Sequence, residues 1–406
     1  MSRESEADLP GEPLLPGALP EALRAELVAF RRDLHMHPEL GNQEFRTTAA
    51  IKARLERAGL EPRVLSIGTG LICDIGDPDD VRPMLALRAD IDALPIPDTK
   101  SDCAYRSTVP DRAHACGHDI HTAVVLGAGL VLADLHAQGL LPRRVRLIFQ
   151  PAEEVLPGGA PDAIESGVLE GVGRIVGVHC DPRVDAGRIG LRHGAITSAC
   201  DRLEVSLDGA GGHTARPHLT TDLVTAAARV VTDVPALVAR RVDARSGLAV
   251  TWGRIESGHA CNVIPQHAEL SGTIRCLDLD AWRAAPDLVH AAIDEIANLY
   301  RAKSEINYIR GVPPVVNDAA VTELLRDAMT ARRGAHSIED TEQSLGGEDF
   351  SWYLEHVPGA MARLGVRPPG DRTIRDLHRG DFDADEYAIT VGVEMFTAAA
   401  LLDERD

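Results

Sequence analysis

The hydrophobic rhythm of this chain changes near residue 200, and that change restricts the folds open to it. Before it, helices alternate with short Val/Leu/Ile runs. One helix spans about Pro20 to His35 and is ended by Pro38; a second runs through TTAAIKARLERAG and is stopped by Gly59. GLICDIG, PMLALRA, VRLIFQ and RIVGVHC read as strands, and a long apolar helix runs from HACGHDIH to Gln138. Such alternation implies an α/β layer around a largely parallel sheet.

After residue 200 the order becomes strand (Leu203–Leu207), helix (Asp222–Arg240), strand (Leu248–Ile255), strand (Ala268–Cys276), helix (Ala281–Tyr300), strand (Glu305–Ile309). That is βαββαβ, the ferredoxin-like arrangement. The chain then returns to mixed α/β, with MARLGV as a strand and a last helix from about Asp385. The expected organisation is an α/β catalytic domain in two pieces, 1–197 and 312–406, interrupted by an inserted domain at 198–311. Residues 1–19, acidic and Pro-rich, read as a loose arm.

With 406 residues, more than one domain is expected. A net charge of -20 repels phosphate backbones and argues against a nucleic-acid partner. The N-terminus lacks the apolar core of a secretory signal, and the apolar run near Val124–Leu132 is interrupted by Gly and too short to span a bilayer. Seven scattered cysteines, an odd count, fit free thiols in a reducing compartment, so a cytoplasmic protein is expected.

The densest chemistry is His114-Ala-Cys116-Gly-His118-Asp119-Ile-His121. Thiolate and imidazole together suit zinc and its transition-metal neighbours. Cys116 and His118, two apart in an extended loop, would point to one side, and the following helix N-terminus would lower the thiol pKa. Glu153-Glu154 follow the strand VRLIFQ, where α/β sheets place their sites; one carboxylate can bind metal while the other serves as general base. Alone, this pair also reads as a solvated acidic turn. His179 closes the run RIVGVHC, and His378 stands in a polar loop; each alone is as readily an ordinary histidine. Asp90 and Asp92, after a strand, can ligate metal or orient a histidine ring. His213, behind a Gly-Gly turn, can donate to an oxyanion or be a plain loop residue.

Taken together, RRDLHMHPELGNQEF, LRADIDALPI, HACGHDIHTA, PAEEVLPGG, VGVHCDP, GGHTARPH, CNVIPQHAELSGTIR, LGGEDFSWYLEHVPGA and LHRGDFDADE resemble, in order, the aminoacylase/carboxypeptidase family of two-metal peptidases. The closer likeness is to its amidohydrolase branch, which includes hippurate and auxin-conjugate hydrolases. The resemblance implies a catalytic α/β domain with an inserted lid used for dimerisation, hence a homodimer or higher homo-oligomer. It implies two divalent metals per chain, zinc first and manganese, cobalt or nickel as alternatives, held by Cys116, His118, Glu154, His179 and His378, with Cys116 shared. Glu153 would be the general acid/base, taking a proton from water and handing it to the leaving nitrogen. His213 would hold the oxyanion, either in its own subunit's site or across a dimer in the other's; Asn262 and Arg275 would bind substrate. Asp90 and Asp92 would stand behind the ligands. The implied substrate is a small N-acyl amino acid. The rivals are a dipeptidase or carboxypeptidase on the same scaffold, a cysteine hydrolase using Cys116, and a non-enzymatic metal-binding relative.

Overall fold

The computed structural model describes residues 16–403, so most of the expected arm lies outside the described residues. The first segment runs α1 (Glu21–Met36), α2 (Phe45–Arg57), β1 (Arg63–Val64), β2 (Leu71–Ile75), β3 (Met84–Asp90), α3 (His118–Ala137), β4 (Val145–Gln150), α4 (Ala160–Glu165), β5 (Val172–Asp185), β6 (Ile189–Leu191) and β7 (Gly194–Ala195). The middle segment runs β8 (Ala199–Asp208), β9 (Gly212–His213), α5 (Leu223–Ala239), β10 (Ala249–Ser257), β11 (Val263–Ile264), β12 (His267–Cys276), α6 (Leu279–Leu299) and β13 (Lys303–Val312). The last segment holds β14 (Val316–Asn317), α7 (Ala319–Arg333), β15 (Ile338–Asp340), α8 (Ser351–Leu354), β16 (Gly359–Arg367) and α9 (Tyr387–Leu402).

The large sheet has the order β1-β2-β4-β3-β5-β16-β6-β15. Its centre, β4-β3-β5-β16, is parallel. Every residue of β3 and β4 is buried, the mark of strands covered on both faces. One face packs on α1, α2, α3, α7 and α9 through residues such as Leu27, Ile51, Val124, Leu325 and Phe396. The other carries α4 and α8, with Ala163, Phe350 and Tyr353 against Ile148 and Ile175.

The middle segment forms its own antiparallel sheet, β10-β12-β8-β13. β8 alternates buried with exposed positions, as a sheet covered on one face requires. α5 and α6 supply the cover, with Val230, Val234, Val289 and Ile293 meeting Val205, Leu207 and Ile274 in a separate core. Asp222 and Asp278 cap these helices by accepting from the backbone N–H groups of Thr225 and Ala281.

Two expectations need correction. β5 does not end at His179: residues 181–185 keep pairing with β16, so the histidine projects from within a strand. And α3 is, at 20 residues, long and apolar enough by composition to cross a membrane. The helix runs as far as expected, and what is corrected is the apolar run, judged too short because of its glycines. They do not interrupt the helix, because they let it pack closely in the protein core. It is almost entirely buried, with His118, Asp119 and His121 in its first turn engaging polar partners.

Candidate metal centre and active site

The site lies where the carboxyl ends of β3 and β4 and the middle of β5 meet the start of α3. Gly117 makes the turn. It sits at φ 86°, and a Cβ there would meet Cys180 Sγ at 2.6 Å, so only glycine fits. The Cys116–His118 segment is therefore a left-handed turn into a helix, not the extended loop expected. The turn still brings both donors to one place. Donor atoms of Cys116, His118 and His179 lie within 4.8 Å of one another, as do those of Cys116, Glu154 and His378, and those of His118, Glu153 and Glu154.

His118 and His179 each have one ring nitrogen engaged and one left for the site. His118 Nδ1 bonds Asp92 Oδ1 at 3.2 Å, and its buried Nε2 has no hydrogen-bond partner, with Asp90, Glu154 and Glu153 3.8–4.0 Å away. His179 Nδ1 donates to the Cys180 carbonyl at 2.9 Å, which turns Nε2 toward Cys116 Sγ at 3.5 Å. His378, in a left-handed conformation, is tied by its N–H to the Ala115 carbonyl and holds Nε2 3.4 Å from Glu154 Oε1. Glu154 Oε1 is likewise buried without a hydrogen-bond partner. Orphaned lone pairs converging in this way fit a cation.

His121 is different. Its Nδ1 bonds Asp90 at 2.6 Å and its Nε2 accepts from the Cys180 N–H at 2.8 Å, so no lone pair is left to ligate. It is a strut between α3 and β5. Asp90 and Asp92 thus both stand behind histidines, Asp92 also accepting the Glu154 N–H at 3.0 Å.

Three groups that sequence reasoning passed over complete the setting. Arg88, fully buried on β3, reaches Asp90 at 2.6 Å, Asp349 at 2.8 Å and Glu348 at 3.2 Å. Glu348 and Asp349 belong to LGGEDF and close the site beside Glu153. Glu44 accepts the Ala152 N–H at 2.8 Å and so fixes the turn that presents Glu153 and Glu154. The signal was present in motifs already noticed, but the partners are as much as 261 residues apart in sequence.

The electrostatics are those of a crowded anionic cage. Burial, then Glu348 and Glu154, push Glu153 well above the ordinary carboxylate range. Burial opposes protonation of His118, yet Asp90 and Asp92 raise it to about 10. Burial and the neighbouring Glu154 and Glu153 push Cys116 up, contrary to the expected lowering at a helix N-terminus. Divalent cations would relieve this crowding and displace the protons.

Cys116, Glu153, Glu154, His179, Arg275 and His378 line one cavity of about 360 Å³. His213 and Asn262 do not. Both are exposed and sit together in the middle segment, where His213 pairs with Val263 and Thr214 N–H donates to the Asn262 carbonyl.

The profile of Peptidase family M20/M25/M40 matches residues 86–402. The chain belongs to that family. It is a metal-dependent hydrolase of amide bonds. A protein of Rhodococcus jostii named putative glutamate–cysteine ligase 2-3 is 46% identical over 94% of this chain, which spans only 47% of that relative. An N-acetyl-L-cysteine deacetylase of Bacillus subtilis is 38% identical over 90% of this chain and 85% of its own length. The crystal structure of the YXEP protein of Bacillus subtilis, described as a dinuclear metal binding peptidase, superposes with a TM-score of 0.81 at 34% identity, covering 94% of this chain and 98% of that one. Two divalent cations suit the M20 donor set found here.

Proposed function

We propose that this chain hydrolyses the amide bond of N-acyl amino acids, releasing a carboxylic acid and a free amino acid. The observation that carries the reading is the pair of donor triads overlapping at Cys116, with Glu153 and Arg275 on the same cavity. Cys116, His118, Glu154, His179 and His378 would hold the two ions, with Cys116 shared. Thiolate and imidazole favour zinc; manganese, cobalt and nickel are the alternatives. Such ions supply a polarised carbonyl and a water of lowered pKa.

The chain's own groups do the rest. Glu153, whose hold on a proton is strengthened by burial and then by Glu348 and Glu154, takes the proton of the attacking water and passes it to the leaving nitrogen. Arg275 offers a forked grip to the substrate carboxylate. His213 and Asn262, exposed on the inserted domain, would serve the cavity of a second copy, His213 donating to the oxyanion. That makes residues 198–311 both lid and dimer contact. All seven cysteines are free, which suits a cytoplasmic home. A Cys116 nucleophile is disfavoured, because burial and two carboxylates hold it as a thiol.

The test is metal content with hydrolysis of N-acetyl and N-benzoyl amino acids and of free dipeptides, before and after chelation. We expect two metals per chain, cleavage of the blocked substrates, loss on stripping and recovery with zinc or manganese. Glu153→Ala should keep its metal and lose about 10²–10⁴-fold in rate. Activity that survives stripping sinks the reading; preference for a free α-amine turns it into a dipeptidase.

A further inference from the structure

A second arginine faces the cavity, and no carboxylate among the described residues makes a direct ion pair with it; Asp181 and Glu348 act on it only from further off. Arg363 lies in the middle of β16, within the buried run Ala360–Val366. It is aligned with His179 on β5 and with Gly190 on β6. Neighbouring positions of paired strands share a face, so its side chain leaves the sheet beside that of His179. The residue is 5% exposed and lines the cavity with Cys116, Glu153 and Arg275.

Its Nη2 is buried with no hydrogen-bond partner, and it makes no ion pair among the described residues. Arg88, also buried and two strands away on β3, has three carboxylates. A guanidinium stays charged in a protein, and burying it unpaired is costly. A charge kept in that state beside a cavity is explained by an anion that enters with the ligand. Arg275, from the inserted domain, also leaves Nη1 buried without a partner. A carboxylate that takes one fork end-on leaves the other guanidinium free for a second anion.

We propose that Arg363 is a second anion anchor, and that the preferred substrate carries two carboxylates: the α-carboxylate on Arg275 and another on Arg363. This rests on the amidohydrolase reading above. The second carboxylate can belong to the amino-acid side chain or to the acyl group. N-acetyl-L-glutamate and N-succinyl-L-alanine separate these sources, with N-acetyl-L-methionine as the monoanionic reference.

Arg363→Met keeps most of the volume and removes the charge, so the fold should survive, which melting and metal content would check. Arg363→Lys keeps the charge without the fork. The wild-type enzyme should favour one diacid over the reference. Arg363→Met should raise KM for that diacid by roughly 10–100-fold, leave the reference nearly unchanged, and be partly rescued by Arg363→Lys. Binding of glutarate against butyrate to the metal-loaded protein, by calorimetry, gives a readout that needs no turnover. A chain that cleaves none of the amides, yet binds glutarate through Arg363, sinks the amidohydrolase reading and keeps the anion anchor. No preference for diacids, or an equal fall in kcat on all substrates, overturns the anchor.

Discussion

Glu44 is a carboxyl group with no exposed surface, held in place by the Ala152 N–H it accepts. Burial raises it from 4.5 to about 7. A raised acid adds stability that is complete below its unfolded pKa and fades as pH climbs through the folded one. For Glu44 that window is about pH 4.5 to 7, and the linked free energy is on the order of 3 kcal/mol. Glu44→Gln cannot titrate. Its unfolding free energy, compared with wild type by urea titration at pH 5 and pH 8, should improve relative to wild type at the higher pH. Parallel pH dependences would show that Glu44 does not titrate in this window. At this scale the sequence pointed to Cys116, His118, Glu154, His179 and His378, each ambiguous alone, and the fold brings their donor atoms together in overlapping groups. The sequence could not name Arg88 or Glu44 as their supports, since a support is defined by its contacts and those cross the whole chain.

Among the elements, α3 carries the most. Its start fixes Cys116 and His118, its first turn pins His121 between β3 and β5, and its body fills the core. All of that hangs on Gly117. Gly117→Ala forces a Cβ into Cys180 and a left-handed backbone onto alanine, which costs roughly 1–3 kcal/mol. The expected result is a lowered melting temperature together with impaired metal binding, since the same shift moves both donors. Full metal content in a destabilised variant would separate the turn from the site. The helix itself was legible in the apolar run, and so were the βαββαβ elements, whose periodicity is regular. Their ends were less so: β5 and β13 extend beyond the apolar core of their runs because backbone pairing, not side-chain burial, decides where a strand stops.

In the whole molecule, the two-part layout was legible because each part buries its own core and so writes its own pattern. The distance between His213 and the cavity was not, since it depends on how the parts meet. If His213 serves a second copy, chains carrying Glu153→Ala and chains carrying His213→Ala, each inactive alone, should recover activity when mixed and allowed to exchange. Mixtures that stay inactive would mean that His213 reaches its own cavity through lid movement.

The donors themselves are divided by that layout. Cys116, His118, Glu154 and His179 precede the inserted domain, while His378 follows it and is tied back by the Ala115 carbonyl. A pair of ions held between them would rivet the two ends of the interrupted domain together, closing a circuit that runs through the whole insertion. During synthesis the cage would stay open until the segment carrying His378, beyond the whole insertion, had emerged, so the nascent protein would be chemically silent until then.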